Sequence, residues 1–241
     1  MRIAVISDVH GNLEALEVVL ATLGELGADA VWSLGDIVGY GPAPRECLAL
    51  VRDRAAVSLL GNHDAAAIGR TEIEDFNEFA RSAVAWSSEQ LAPADFAYLE
   101  SLPLVVRAAD ALLVHASPRE PEAWHYIHGA SDAAEHFADF TERVCFVGHS
   151  HRAGILSIDE VGHVPRAADR AVFGPGERYI VNAGSVGQPR DRDPRSSFAL
   201  WETATGEVAV HRVAYAVERT QAQMRAAGLP GFLVERLAAG V

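Results

Sequence analysis

The sequence contains no lysine, and all 20 of its Lys and Arg positions are arginines. A phosphate-binding P-loop, a Schiff-base enzyme and a lysine-linked carrier each need a lysine, so these three classes are excluded. Cysteine is almost as scarce, because Cys47 and Cys145 are the only two among 241 residues. Two thiols are too few for a disulfide framework, and nothing in the composition indicates secretion.

Positive charge is also in short supply. The 20 arginines face 33 acidic residues, which gives a formal net charge of -13. A large nucleic-acid-binding surface is therefore not expected. No apolar run approaches the roughly 20 residues that a membrane helix needs, and no charged-then-apolar leader precedes the segment Arg2–Ile6. We therefore expect no membrane partner and a cytoplasmic location.

The remaining composition is that of an ordinary globular protein, with 49% hydrophobic and 22% charged residues. Because no repeat or convincing linker interrupts the chain, a single domain over residues 1–241 is predicted. Within the first 60 residues, strands predicted at 2–7, 30–34 and 55–60 alternate with amphipathic helical segments. This alternation is typical of βαβ units and predicts an α/β fold.

The second half of the chain has a different pattern. Residues 73–102 have helical spacing with a break at Pro93, which predicts a helical, cap-like insertion. The other predicted elements are strands at 104–107, 111–114 and 144–147, mostly antiparallel strands from 155 to 213, and helices near 133–140, 217–227 and 232–239.

Polar side chains follow the ends of the predicted strands in five places. In an α/β sheet the carboxyl ends of the strands open onto one crevice, where ligands bind. We therefore expect these clusters to lie together, although they are far apart in the sequence. They are Asp8-Val9-His10, Gly35-Asp36, Gly61-Asn62-His63-Asp64, His115 and Gly148-His149-Ser150-His151.

The residue types in these clusters are imidazole, carboxylate and amide, a set that suits Mn²⁺, Fe²⁺, Zn²⁺ or Co²⁺ better than Ca²⁺. Asp8 and His10 are two residues apart, as are His149 and His151, so each pair can face one ion. The ligands suffice for two ions, which Asp36 could bridge. Two ions ~3.5–4 Å apart suit phosphoester hydrolysis, in which a bridging water loses its proton and both ions stabilise the charge on the phosphorus oxygens.

The five clusters occur in the order DxH…GD…GNH[DE]…H…GHxH, and in this the sequence resembles the calcineurin-like metallophosphoesterase superfamily. The segments Asp36–Pro42 and Asn182–Arg190 resemble a small, prokaryotic, phosphodiesterase-like branch of it. The resemblance implies a fold of two mixed β-sheets packed face to face and flanked by helices, an αββα sandwich.

The resemblance also implies roles for individual residues. One metal ion would be held by Asp8, His10, Asp36 and His151, and the second by Asp36, Asn62, His115 and His149. His63 would act as a general acid or stabilise charge on the phosphoryl oxygens, and Asp64 would orient it. Manganese is the first expectation for the metal, with zinc, iron, nickel or cobalt as alternatives.

Three further residues are candidates for substrate contact. Ser185 and Arg190, in and after a glycine-rich turn, could reach a phosphate, although a plain turn explains Ser185 equally well. Tyr40, in the loop after Asp36, could stack on a substrate. The histidines outside the motifs are expected to have surface or packing roles, although His125 or His128 could touch substrate; the whole set is His125, His128, His136, His163 and His211.

These observations predict a metal-dependent phosphoesterase acting on a small phosphorylated substrate, with a phosphodiesterase on a nucleotide-type substrate as the first choice. A phosphomonoesterase or a serine/threonine protein phosphatase is the enzymatic alternative. Against the protein phosphatase, Asp36 is followed by Ile-Val-Gly-Tyr-Gly rather than an aspartate-arginine-glycine element. A non-catalytic metal-binding scaffold is the alternative from another class, and a homo-oligomer is left open.

Overall fold

A computed structural model describes residues 1–73, 76–159, 162 and 168–241, and in this part eleven strands form two mixed sheets. The first sheet has the order β3-β2-β1-β10-β11-β8, in which β1 is parallel to β2 and antiparallel to β10. Its strands are β1 (Arg2–Ile6), β2 (Ala30–Ser33), β3 (Val57–Ser58), β8 (Arg170–Val172), β10 (Ser196–Glu202) and β11 (Glu207–Val213).

The second sheet has the order β4-β5-β6-β9-β7, in which β5, β6 and β9 are parallel and the two edge strands are antiparallel. Its strands are β4 (Val105–Ala108), β5 (Ala111–Val114), β6 (Val144–Val147), β7 (Gly154–Ile158) and β9 (Arg178–Asn182).

The two sheets bury one face against each other. Ile3 and Val5 of β1 lie in one hydrophobic cluster with Phe146 of β6, whereas Ala4 and Ile6 belong to a cluster on the opposite face of the first sheet. Successive side chains of a strand point to opposite faces, so β1, which is apolar from Ile3 to Ile6, requires cover on both sides.

Helices provide that cover. Those described are α1 (Leu13–Glu25), α2 (Pro44–Arg54), α3 (Asn62–Ala67), α4 (Glu78–Gln90), α5 (Pro93–Ser101), α6 (Ala130–His136), α7 (Val217–Ala226) and α8 (Gly231–Ala239). Apolar residues of α1 and α2 pack on the outer face of the first sheet, and those of α6 on the outer face of the second. The helix–sheet–sheet–helix order confirms the predicted αββα fold. None of the helices among the described residues has the length and apolar character needed to cross a membrane.

Two further sequence predictions can be compared with the structure in detail. The third strand, predicted at 55–60, is reduced to β3, because the Leu60 amide turns away to donate to the carbonyl of Pro103. The segment 73–102 forms α4 and α5 with the break at Pro93, and α4 packs against α2 and α3. Its residues 74–75, like His163, lie outside the described residues. The cap-like role and the single domain stay predictions.

Candidate metal centre and active site

The fold brings the five predicted clusters to one edge of the sandwich. Asp8 and His10 follow β1, Asp36 follows β2, and Asn62 and His63 follow β3, three parallel strands of the first sheet. His115 follows β5, and His149 and His151 follow β6, two parallel strands of the second sheet. All seven predicted ligands are buried; they are Asp8, His10, Asp36, Asn62, His115, His149 and His151.

Three of these side chains form a first group. The Nε2 atom of His151 lies 3.1 Å from Oδ1 of Asp8. The Nε2 atom of His10 lies 3.0 Å from Nε2 of His151 and 3.7 Å from Oδ1 of Asp8. One ligand atom of each residue therefore falls within 4.8 Å of the others, close enough to share one ion.

A second group forms around His115. Its Nε2 atom lies 3.1 Å from Oδ1 of Asn62 and 3.4 Å from Oδ2 of Asp36, and His149 offers a ring nitrogen to the same place. Oδ2 of Asp36 also lies 3.6 Å from Nε2 of His10, a member of the first group. Asp36 is thus positioned between the two groups.

Backbone carbonyls determine which nitrogen of each ring can bind a metal. Nδ1 of His10 lies 3.0 Å from the carbonyl of Val38, and Nδ1 of His151 lies 2.6 Å from the carbonyl of Gln188. Because a carbonyl only accepts hydrogen bonds, both rings donate from Nδ1 and keep a lone pair on Nε2. Nδ1 of His115 is held in the same way by the carbonyl of Leu34, at 3.0 Å.

The resulting arrangement fits a cation. In the neutral tautomers, the Nε2 lone pairs of His10 and His151 face each other across 3.0 Å, which is unfavourable unless a positive charge lies between them. Oδ1 of Asp8 and Nε2 of His149 are buried, and neither has a hydrogen-bond partner among the described residues. Buried acceptors without donors are rare in proteins, and here they converge on one place, as metal ligands do.

The charge states also suit metal ligands. Burial works against ionisation of Asp8, but His151 and His10 outweigh it and hold the pKa of Asp8 well below its ordinary value. Burial and the charge of His115 lower the pKa of His149 to about 3, and burial and Arg190 lower the pKa of His151 to about 4. The site therefore offers ionised carboxylates and neutral imidazoles, the forms that bind metal.

His115 has the opposite behaviour, for a related reason. Burial lowers its pKa, but the charge of Asp36 overcomes burial and raises the pKa of His115 to about 9. A proton on Nε2 would occupy the space between His115, Asp36 and Asn62, where the second group has room for a cation.

The backbone of the predicted ligands has a feature that the motifs did not indicate. Left-handed backbone with positive φ is uncommon outside glycine and tends to mark functional sites. A residue with this backbone conformation at the end of a strand changes the direction of the side chains there, so that neighbouring residues can face the same point. Five of the seven ligands adopt it: Asp8 (φ 54°), His10 (φ 49°), Asp36 (φ 53°), His149 (φ 62°) and His151 (φ 57°).

Asp64 differs from its predicted role. It is fully buried; its Oδ1 accepts hydrogen bonds from the amides of Ile37 and Val38, and its Oδ2 accepts one from Gly61. Nδ1 of the buried His63 ring has no hydrogen-bond partner among the described residues. Its described hydrogen bonds thus fasten the loop after β2 to the start of α3, and none of them reaches His63.

The three candidate substrate contacts occupy different environments. Ser185 has no exposed surface, and its hydroxyl donates to the carbonyl of Asp8 and accepts from the amide of Gln188. These contacts hold the Asp8 loop. The hydroxyl already donates its single proton to the Asp8 carbonyl, so it has none to donate to a phosphate. Tyr40 is 6% exposed. Its ring packs on those of His10 and His63, with centroids 4.6 Å and 4.5 Å apart, and it also lines the cleft beside Asn62 and His63.

Arg190 is the best placed of the three. Its guanidinium donates two hydrogen bonds to Oε1 of Gln188 and lies 5.4 Å above the centre of the Tyr40 ring. Gln188, which also accepts from His151 through its carbonyl, was not singled out from the sequence. The only signal available for it was its position two residues before a candidate arginine.

The second group opens, through Asn62 and His149, onto a cleft of about 420 Å³, a size typical of small-molecule sites. Aromatic side chains that were not candidates from the sequence line it. Phe76, part of the segment with helical spacing, packs on His63 with centroids 5.0 Å apart, and Tyr126 stacks on His149 at 4.0 Å. Trp124 approaches His115 edge to face at 5.9 Å. The run Trp-His-Tyr at 124–126 was the available signal.

Comparisons with known proteins now identify the family. Residues 1–206 match the family model described as the calcineurin-like phosphoesterase superfamily domain. The chain belongs to this superfamily. This confirms the resemblance found in the sequence and makes the protein a metal-binding phosphoric ester hydrolase.

Two relatives align with nearly the whole chain, and a third aligns with a short part of it. The crystal structure of a metallophosphoesterase from Sphaerobacter thermophilus is 50% identical, with a TM-score of 0.87 over 100% of this chain and 99% of that one. An uncharacterized protein of Methanocaldococcus jannaschii is 34% identical over 99% of this chain and 98% of its own length. A symmetrical bis(5'-nucleosyl)-tetraphosphatase of Thioalkalivibrio sulfidiphilus is 40% identical over only 67 residues, 27% of this chain and 25% of that protein.

Proposed function

We propose that the protein is a phosphodiesterase that works with two divalent metal ions and acts on a nucleotide-type substrate. The observation that carries this proposal is the pair of ligand groups joined by Asp36, whose Oδ2 lies within 3.6 Å of ring nitrogens from both. The first ion would be held by Asp8, His10, Asp36 and His151, and the second by Asp36, Asn62, His115 and His149. The histidine-rich donor set suits manganese first, with zinc, iron, nickel or cobalt as alternatives.

Two bound ions would supply an activated water and neutralise charge on the phosphoryl oxygens. The protein's own residues would then orient the diester and meet its developing charge. The guanidinium of Arg190, held by Gln188, presents a cation beside the site to a non-bridging phosphate oxygen.

His63 would act on the phosphoryl group. One of its ring nitrogens lies within 4.8 Å of ligand atoms of His10 and Asp36, so the ring borders the place where a phosphate would bind. Burial lowers the pKa of His63 well below its ordinary value, although Asp36 opposes this. A neutral imidazole keeps one N–H group that can donate a hydrogen bond, but it is a weak acid. We therefore propose that His63 donates a hydrogen bond to a phosphoryl oxygen rather than acting as a general acid.

The cleft supports a substrate larger than a simple phosphate. It lies directly against Asn62, His63 and His149, so a group attached to the reacting phosphate would enter it. Phe76, just before α4, forms part of its wall, and we propose that residues 73–102 shape the substrate site in this way. A small phosphorylated substrate is also consistent with the tetraphosphatase named above. The cytoplasmic location and any homo-oligomer stay predictions.

The choice of a diester is tested with the purified protein loaded with Mn²⁺. The measurement compares kcat/KM for bis-p-nitrophenyl phosphate with kcat/KM for p-nitrophenyl phosphate. We expect faster hydrolysis of the diester. Faster hydrolysis of the monoester would refute the phosphodiesterase assignment in favour of a phosphomonoesterase.

Two variants separate catalysis from metal binding. His63→Ala should keep its metal content by elemental analysis and lose roughly 10² or more in kcat, the usual contribution of a hydrogen-bond donor to developing charge. Asp36→Ala should lose metal itself. His211→Ala is the matched control, because this ring stacks on Phe198 between β11 and β10, away from the cleft. Parental activity in His63→Ala would favour a different mechanism, and no hydrolysis of any phosphoester by the metal-loaded parent would favour the scaffold.

A further inference from the structure

The cleft beside the metal centre has walls that are aromatic on both sides. Phe76 extends one wall outward from His63, and Trp124 and Tyr126 extend the other from His115 and His149. A flat group attached to the reacting phosphate would therefore meet ring faces and edges as soon as it leaves the metal site. Stacking on aromatic side chains is the common way in which proteins hold nucleobases without reading their sequence.

Charge in the cleft is distributed unevenly. None of the described residues that line it is an arginine, whereas two exposed carboxylates, Glu72 and Glu122, do line it. Glu72 comes from the segment before α4 and Glu122 from the 3-10 turn Pro121–Ala123, so they arise from separate parts of the chain. No arginine among the described residues forms an ion pair with either one. The part of the cleft that these carboxylates line is therefore negative.

Among the described residues, Arg190 places a positive charge beside the metal site, outside the residues that line the cleft. Arg190 lies over Tyr40 and is bonded to Gln188, next to the ligand His151. One phosphate can thus be neutralised by bound ions and Arg190 together. A second or third phosphate extending along the cleft would meet Glu72 and Glu122, with no arginine among the described lining residues to offset them, and like charges brought together are unfavourable.

We infer that this cleft selects a phosphodiester with a single phosphate and an uncharged planar group beside it, such as a nucleoside, and that Glu72 and Glu122 disfavour substrates with further phosphates. The inference rests on the proposed function and narrows its substrate class. It also separates this protein from the symmetrical tetraphosphatase, whose similarity is confined to 67 residues.

A matched pair of substrates isolates the effect of charge. Adenylyl-adenosine and diadenosine tetraphosphate carry the same two bases and differ in the number of phosphates. With the Mn²⁺-loaded protein, we expect a higher kcat/KM for adenylyl-adenosine. The double variant Glu72→Gln/Glu122→Gln should shift the ratio roughly fivefold toward the tetraphosphate, as expected for two exposed charge contacts. Because such contacts are screened, the parental preference should also shrink as salt is raised.

The control is Glu89→Gln/Glu100→Gln, which removes the same charge from exposed positions on α4 and α5 outside the cleft. It should leave the ratio unchanged. A parental preference for the tetraphosphate, or an equal shift in both double variants, would overturn the inference. So would hydrolysis of bis-p-nitrophenyl phosphate with neither dinucleotide being cleaved. Failure to hydrolyse bis-p-nitrophenyl phosphate as well would instead refute the proposed function, and this inference with it.

Discussion

Replacement of Asp64 tests whether this carboxylate holds the metal-binding loops or serves His63. The structure gives it three backbone donors, the amides of Ile37, Val38 and Gly61, at 2.9, 3.0 and 3.1 Å. The first two directly follow the central ligand Asp36, and the third begins the turn into α3. Asp64→Ala would leave all three amides without their acceptor in a buried place.

The size of the effect follows from opposing contributions. Each buried donor left unsatisfied costs about 1–3 kcal/mol. Burial and the charge of Asp36 raise the pKa of Asp64 to about 7, which means that the ionised carboxylate is itself unfavourable there and that its removal offsets part of the loss. We expect a net destabilisation of about 2–5 kcal/mol, near the upper end for a single substitution. In a protein of this size that lowers Tm by roughly 5–15 °C.

Asp64→Asn should have a smaller effect. Its single amide oxygen can still accept from Ile37 and Val38, whereas its NH₂ group would face the amide of Gly61, donor against donor. One unsatisfied contact costs about 1–3 kcal/mol. The expected order of Tm is therefore parent, then Asp64→Asn, then Asp64→Ala.

The assay combines Tm, metal content by elemental analysis and kcat at saturating Mn²⁺. The control is Asp95→Ala, because Asp95 is another buried carboxylate in the first turn of a helix, where it accepts from the amide of Ala92 and pairs with Arg45. Asp95→Ala should have a lower Tm and keep its metal, whereas Asp64→Ala should have a lower Tm and also lose its metal. If Asp64→Ala retained its Tm and metal but lost kcat, our assignment would be wrong and a direct role beside His63 would be favoured.

Three further outcomes follow from the site. Chelation should lower the Tm of the metal-loaded protein, by roughly 5–10 °C if the ion was present at 100 times its Kd, because ligand bound to the native state stabilises it; an unchanged Tm would mean that the clustered lone pairs need no cation. Gly61→Ala should lose metal and stability, because an added Cβ would collide with the backbone and carboxylate of Asp36. Gly129→Ala is the control, because a Cβ there would meet nothing within 4 Å. Equal metal content in the two variants would contradict this prediction. Ser185→Ala should lower Tm by weakening the hold on the Asp8 carbonyl and leave KM nearly unchanged; a raised KM at unchanged Tm would restore the predicted phosphate contact.

The ligands could be predicted from the sequence because their chemistry and order are local properties. A carboxylate or imidazole directly after an apolar strand can be recognised in the sequence as a candidate ligand. The carboxyl ends of parallel strands lie at the same edge of a sheet, so such candidates lie close together. The direction of a side chain after a turn is a different matter. Asp64 stands next to His63 in the sequence, but α3 begins at Asn62 and places Asp64 in its first turn, facing back to the amide of Gly61. The spacing of a helix start, Gly-Asn-His-Asp, was the signal that could have indicated this role.

The aromatic residues that line the cleft could not be predicted, for another reason. Phe76 has the helical spacing of a core residue, and the same apolar surface suits a core and a substrate wall alike. Only the position of His63, brought from another part of the chain, shows which of the two applies. Tyr126 and Trp124 contact His149 and His115, which come from other parts of the chain, and no local pattern specifies those contacts.

The strained ligands connect binding to stability. A non-glycine residue in the left-handed region costs up to about 1–2 kcal/mol, and less for aspartate. The five ligands in that region therefore oppose folding. Contacts between the loops offset part of this: the amides of Asp8 and His10 donate to the carbonyls of Gly35 and Asp36, and the amide of Gly187 donates to the carbonyl of Asp8. These bonds tie the loops to one another, so a change in one loop disturbs ligands in the others. Metal affinity should therefore respond to substitutions such as Asp64→Ala that touch no ligand.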